Sequence, residues 1–134
     1  MADDPLFRST LDAVAERIAE KSTRTLRFVT ADENGDAVGA AELATLTLTL
    51  YDKRSKTILN SRDHQSILNA NGGTVDASGN GELVLADADN ALVSQGRSSE
   101  MHVALIEWTW AGGTKSGRHE IVLTVENLQK VPVA

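Results

Sequence analysis

The chain has 134 residues, a formal net charge of -6 and no cysteine. Its length fits one domain with a single core. Its 13 basic residues are dispersed among 19 acidic ones, which argues against a nucleic-acid surface, and the absence of cysteine excludes disulfides, a thiol nucleophile and a thiolate metal site.

The first predicted element is an amphipathic helix at residues 9–21. Ser9 and Asp12 resemble a capping box at its start. A narrow apolar stripe gives a weakly stable helix, so we expect it to pack on its own domain or on a neighbouring subunit. The stripe follows helical spacing and consists of Phe7, Leu11, Val14 and Ile18.

After Lys21 the apolar residues alternate, which predicts strands. Leu26 and Phe28 mark the first strand, and "DENGD" is typical of a turn. In "ATLTLTLYD" the leucines point to one face and the threonines to the other. Short strands are predicted in "TILN" and at residues 66–69, a hairpin in "TVDASGNGELVLA", and a helical turn capped by Asp87 in "DADNALV".

The last two predicted strands, residues 101–110 and 120–128, form a hairpin that turns near residues 112–116. Trp108 and Trp110 are two positions apart and therefore share a face. The tryptophans are interpreted as core anchors; the alternative is an aromatic platform for a sugar or peptide. The pairing of the two strands decides what else lies on this face. If the numbers of each pair of opposed residues sum to an odd value, the face of Trp108 also carries apolar residues of both strands, namely Ala104, Ile106, Ile121, Leu123 and Val125.

No motif in the sequence predicts catalysis or a bound cofactor. The three histidines, His64, His102 and His119, are far apart in sequence, so each is assigned an ordinary polar role. The runs "DENGD" and "DADN" lack the spacing of a calcium loop, and the glycines do not form a phosphate-binding motif. We therefore expect no enzyme, no metal site and no small-molecule substrate.

The predicted strands define the expected fold class and its boundaries. About seven short strands at this spacing indicate a mainly β chain with an antiparallel sandwich. Residues 1–24 are expected to form an N-terminal arm and helix, and residues 25–134 the sandwich. No segment has the ~18 apolar residues of a membrane span or the pattern of a signal peptide, so we expect synthesis in the cytoplasm.

The order of turns and strands resembles the immunoglobulin-like domain of tailed-bacteriophage virion proteins, including the N-terminal domain of baseplate upper proteins. The matching features are the Asp-x-x-Gly turn at residues 32–35, the alternating strand at 46–50, the segment 79–89, and the aromatic strand with its glycine turn at 108–113. The resemblance covers residues 26–128 and implies an immunoglobulin-like β-sandwich. The chain has no long helical or receptor-binding part, so it looks more like a neck, tail-adaptor-associated or capsid-decorating component.

This resemblance implies a non-enzymatic structural protein of the virion, made in the host cytoplasm. Its expected partners are capsid, portal, adaptor or tail subunits in symmetric copies, and neither nucleic acid nor a membrane is expected. The alternative is a carbohydrate- or peptide-binding module that uses the hairpin tip. The predicted contact residues are Phe7, Leu11, Val14 and Ile18 in the helix, and Trp110, Lys115, Arg118 and His119 at the tip.

Overall fold

A computed structural model describes residues 16–128. Over this range the chain is mainly β, as predicted, with eight strands and one 3-10 helix. The strands are β1 (Glu16–Ala19), β2 (Arg24–Val29), β3 (Leu43–Asp52), β4 (Gln65–Ser66), β5 (Gly73–Val75), β6 (Asn80–Leu85), β7 (Ser99–Trp110) and β8 (Lys115–Glu126), and the 3-10 helix (Asp87–Asn90) precedes β7.

The strands form two sheets that share one hydrophobic core. The larger sheet has the order β1-β8-β7-β3-β4 and the smaller one the order β2-β6-β5. All neighbouring strands are antiparallel except β1 and β8, which run parallel. Leu26 and Leu83 of the smaller sheet lie in the same core cluster as Leu48, Ile106 and Leu123 of the larger sheet.

The alternation predicted for β3 is confirmed. Leu46, Leu48 and Leu50 are all 0% exposed, because side chains two positions apart point to the same face of a strand. On the opposite face, the hydroxyls of Thr45 and Thr109 form a 2.6 Å hydrogen bond between β3 and β7. The sequence pattern therefore identifies the core face of this strand correctly.

The predicted register parity of the last hairpin is also confirmed. Ala104 pairs with Ile121, and Trp108 pairs with Gly117. The Trp108 ring covers this glycine so closely that a Cβ there would lie 2.7 Å from the indole. The indole N–H donates to the carbonyl of Ala31 at 3.1 Å. Trp108 is thus a core anchor, as expected.

The helix predicted for residues 9–21 is wrong in its C-terminal part. Residues Glu16–Ala19 form β1, and Ile18 pairs with Val125 and is buried in the core. A weak helical stripe is outweighed here by strand pairing that satisfies the backbone and buries Ile18. The other residues of the stripe, Phe7, Leu11 and Val14, lie outside the described residues.

The segment between β3 and β4 also differs from the prediction. "TILN" makes only an isolated bridge between Ile58 and Tyr51, and β4 is Gln65–Ser66 rather than residues 66–69. Asn60 and Ser61 have φ values of 51° and 58°. Left-handed backbone of this kind interrupts a strand.

The helical turn predicted in "DADNALV" is present, but Asp89 rather than Asp87 caps it. The Asp89 carboxylate accepts a hydrogen bond from the backbone N–H of Ala86 at 2.7 Å. It also accepts hydrogen bonds from Arg62 Nε at 2.6 Å and from Arg62 Nη2 at 3.0 Å. Because Arg62 precedes β4, this buried ion pair fixes the 3-10 helix to the β3–β4 segment.

Candidate functional site

The four predicted hairpin-tip residues lie together at one end of the larger sheet. They line an open cleft of about 500 Å³, which we call the hairpin cleft. Its opposite wall is the segment between β2 and β3. The hairpin cleft is lined by Trp108, Trp110, Lys115, Ser116, Gly117, Arg118 and His119 on one side and by Val29, Ala31, Asp32 and Glu33 on the other.

A four-residue loop at residues 111–114 closes the hairpin. Strand pairing continues to Trp110 and Lys115, so the turn comes earlier than predicted. Ala111, Gly112 and Gly113 have φ values of 54°, 69° and 90°, and glycine adopts such values without steric cost. The "AGG" sequence therefore brings Trp110 and Lys115 face to face at the rim of the cleft.

An ion pair connects the two walls of the hairpin cleft. Lys115 Nζ lies 2.9 Å from Glu33 Oε2. The hydrogen bond and the charge of Lys115 hold the pKa of Glu33 below its usual value, and the same contact raises the pKa of Lys115. Both side chains are exposed, so salt screens the attraction.

The β2–β3 turn positions Glu33 for this contact. Asp32 Oδ1 accepts backbone hydrogen bonds from Asn34 and Asp36, each at 2.9 Å. Gly35 has a φ of 83°, which suits a tight turn. Asp32 is therefore the turn former that the sequence predicts, and the turn also becomes a wall of the cleft.

The remaining hairpin residues give the cleft a mixed chemical character. Trp110 is half-buried and packs against the core. Arg118 is exposed and donates a hydrogen bond to Glu107 on the outer face of the sheet. His119 is exposed. A part-exposed indole beside both cationic and anionic groups can bind an amphipathic protein surface or a polar ring.

The structure separates Ile18 from the four predicted contact residues of the hairpin tip. Ile18 pairs with Val125 in β8, whereas the hairpin cleft begins at the opposite end of that strand, at Lys115. Val29 and Glu33 also line the cleft, and the sequence does not predict this because they are distant from the hairpin along the chain. The motif "DENGD" predicts a turn that contains Glu33, but it does not predict which strand that turn faces.

A second polar group lies at the other end of β3 and β7. Among residues 16–128, Asp52, Glu100 and His102 are the one set of acidic and histidine side chains whose possible ligand atoms all lie within 4.8 Å of one another. Sequence analysis assigned His102 an ordinary polar role and did not place it beside two carboxylates.

The pKa values of both carboxylates of this group are lowered from their usual values. Burial raises the pKa of Asp52. Hydrogen bonds from Ser55 and the charges of Arg97 and His102 together lower this pKa by more than burial raises it. Burial likewise raises the pKa of Glu100, and a hydrogen bond from His102 with backbone hydrogen bonds lowers it more. The net shift is downward for each.

The chain matches no known protein-family model, and no curated protein is significantly similar to it in sequence. Within the part of the chain that the structure describes, no helix is long and apolar enough to cross a membrane.

Proposed function

We propose that the chain is a non-enzymatic structural component of a tailed-phage virion, built on an immunoglobulin-like β-sandwich. In this proposal the hairpin cleft contacts neighbouring virion proteins. The observation that carries the proposal is the convergence of Trp110, Lys115, Arg118 and His119 with the β2–β3 turn at one end of the sheets.

The order of the strands supports the immunoglobulin-like part of the proposal. In a constant-type domain, strands A, B, E and D form one sheet and strands C, F and G the other. Here β1, which precedes β2, pairs instead with β8 of the larger sheet. Reading β2, β3, β5, β6, β7 and β8 as B, C, D, E, F and G gives this division, since β2, β6 and β5 are neighbours and so are β8, β7 and β3. β4 then extends the second sheet beside strand C.

The position of the cleft supports a role in binding. Immunoglobulin-like sandwiches gather their loops at two ends, and variable domains bind through the B–C and F–G loops of one end. Here the β2–β3 turn and the β7–β8 hairpin occupy those positions and are linked by the Glu33–Lys115 ion pair. A rigid sheet end with an aromatic residue and charged side chains suits a protein interface.

The virion role rests on the resemblance of the turns and strands to phage immunoglobulin-like domains. The neck, the tail adaptor and the capsid surface are all built from symmetric copies. A weak contact at each copy is sufficient there, because many identical contacts act together. The partners are therefore capsid, portal, adaptor or tail subunits.

The test is co-purification of the chain with virion proteins encoded by neighbouring genes. We expect stable association with a capsid, portal, adaptor or tail subunit, and loss of that association in a Trp110→Ala, Lys115→Glu variant. Arg27→Ala is a matched control, because Arg27 is exposed and pairs with Glu82 on the smaller sheet. A chain that is absent from purified particles and binds none of these subunits would contradict the proposal.

A second candidate function is the binding of carbohydrate or peptide. The half-buried Trp110 beside Arg118 and His119 favours it, because an aromatic face with polar neighbours can stack on a sugar ring. Oligosaccharides and peptides are titrated while tryptophan fluorescence is recorded. A saturable change that Trp110→Ala abolishes supports this function, and an unchanged signal across a broad panel excludes it.

A further inference from the structure

A buried polar group continues the apolar stripes of β3 and β7. Asp52 follows Leu50 on the inner face of β3 and pairs directly with His102 of β7. Glu100 precedes His102 by two positions and therefore lies on the same face. The side chains of Asp52, Glu100 and His102 are all 0% exposed. Three ionisable groups thus lie where the strand pattern elsewhere places apolar residues.

The potential ligand atoms of these residues converge on the imidazole. His102 Nε2 lies 2.8 Å from Glu100 Oε1 and 4.0 Å from Asp52 Oδ1. Bond lengths of about 2.0–2.2 Å place the ligand atoms of a tetrahedral zinc ion about 3.4 Å apart. The two observed distances lie on either side of that value, so small side-chain rotations suffice to reach it.

Asp52 provides an independent indication of a cationic ligand. Its Oδ1 atom is buried and accepts no hydrogen bond from any residue between 16 and 128. Its Oδ2 atom, in contrast, accepts hydrogen bonds from Ser55 N at 2.9 Å and Ser55 Oγ at 2.7 Å. A buried carboxylate oxygen without a partner is costly. A carboxylate that binds a metal through one oxygen is commonly hydrogen-bonded through the other. The outer nitrogen of the imidazole, His102 Nδ1, is buried and has no hydrogen-bond partner among residues 16–128.

Glu100 is held in a comparable way. Its Oε2 atom accepts the backbone N–H of Ser94 at 2.6 Å, and its Oε1 atom accepts that of Val93 at 2.8 Å. Arg97 Nη2 lies 3.4 Å from Glu100 Oε2 and 3.6 Å from Asp52 Oδ2. The guanidinium therefore contacts the oxygens that point away from His102, and Oε1 and Oδ1 remain on the imidazole side.

A surface groove borders the group at Glu100. It has a volume of about 270 Å³ and is lined by Glu100, Arg97, Lys53, Arg54, Ser99 and Met101. The Arg97 side chain is 25% exposed, so it separates the carboxylates from solvent.

We propose that Asp52 Oδ1, Glu100 Oε1 and His102 Nε2 bind one divalent transition-metal ion of the zinc class, with water as its fourth ligand, and that this ion joins β3 to β7. An imidazole among the ligands favours zinc and its neighbours over magnesium or calcium. The ion replaces the hydrogen bond between His102 and Glu100. The rival occupant of this position is a proton on His102, which makes the group a buried ion-pair cluster.

The test uses the untagged full chain after treatment with a chelator. Calorimetric titration with zinc is expected to show one ion per chain, and free zinc at 100 times the Kd is expected to raise Tm by about 5–10 °C. His102→Gln and Asp52→Asn each weaken binding by at least about 10-fold. The control variants His64→Gln and His119→Gln retain it. The proposal is overturned if the unsubstituted chain binds no zinc, or if both core variants bind zinc as tightly as the unsubstituted chain does.

A measurement on the unsubstituted chain covers the case in which the core variants fail to fold. Histidine side-chain nitrogens are followed by ¹⁵N NMR during the zinc titration. We expect zinc to shift the His102 Nε2 resonance and to leave those of His64 and His119 unchanged. A His102 ring that stays doubly protonated and insensitive to zinc identifies the ion-pair cluster and refutes the metal site.

Discussion

The buried ion pair between Arg62 and Asp89 should be among the most sensitive polar contacts in the molecule. The side chains are 9% and 0% exposed, and Asp89 also accepts hydrogen bonds from Asn60 and from the backbone of Ala86. Asp89→Asn removes the charge and leaves the guanidinium buried without its counter-ion. Breaking a buried pair in this way costs about 3–5 kcal/mol.

This loss is a large fraction of the free energy of unfolding of a typical domain, which is about 5–15 kcal/mol. For a chain of this size it corresponds to a decrease in Tm of roughly 10–20 °C. The matched control is Glu82→Gln, because Glu82 pairs with Arg27 at 3.2 Å with both side chains exposed. An exposed pair contributes about 0–1 kcal/mol.

The assay is urea unfolding followed by tryptophan fluorescence, with linear extrapolation to water. The two amide variants make the same chemical change at a buried and an exposed carboxylate. If Asp89→Asn costs no more than Glu82→Gln, the buried pair does not fix the 3-10 helix to the β3–β4 segment and the reasoning is refuted. An Arg62→Met, Asp89→Leu double variant is expected to recover part of the lost stability, because it removes both charges together.

Three further outcomes are expected. Leu48→Ala, at a fully buried position, should cost about 2–5 kcal/mol in urea unfolding, and a loss below about 1 kcal/mol would show that β3 does not face the core. Gly117→Val should displace the Trp108 ring, cost about 1–3 kcal/mol and shift the tryptophan emission; an unchanged spectrum contradicts that packing. Lys115→Ala should raise the pKa of Glu33 toward its usual value in an NMR titration. The ion pair stabilises the folded chain at pH values above the usual pKa of Glu, and this stabilisation is lost as the pH falls through the lowered pKa of Glu33. A Glu33 pKa that is the same in the variant and the unsubstituted chain rules the contact out.

The sequence by itself determined the elements that follow from local periodicity. The leucine alternation in β3, the odd parity of the last hairpin and the burial of Trp108 are all readable from residues a few positions apart. Strand geometry fixes the face of each side chain, so alternation and a turn are sufficient to assign them. The four hairpin-tip residues line the same cleft because they lie within a few positions of one turn.

Only the tertiary structure decided the contacts between distant segments. Ile18 reads as part of a helical stripe, yet pairing with β8 makes it a strand residue. Glu33 meets Lys115, and Asp52 meets His102, only after the sheets have formed. Such pairs depend on the closure of long loops and on burial shared by the whole core, and neither is encoded in the spacing of neighbouring residues.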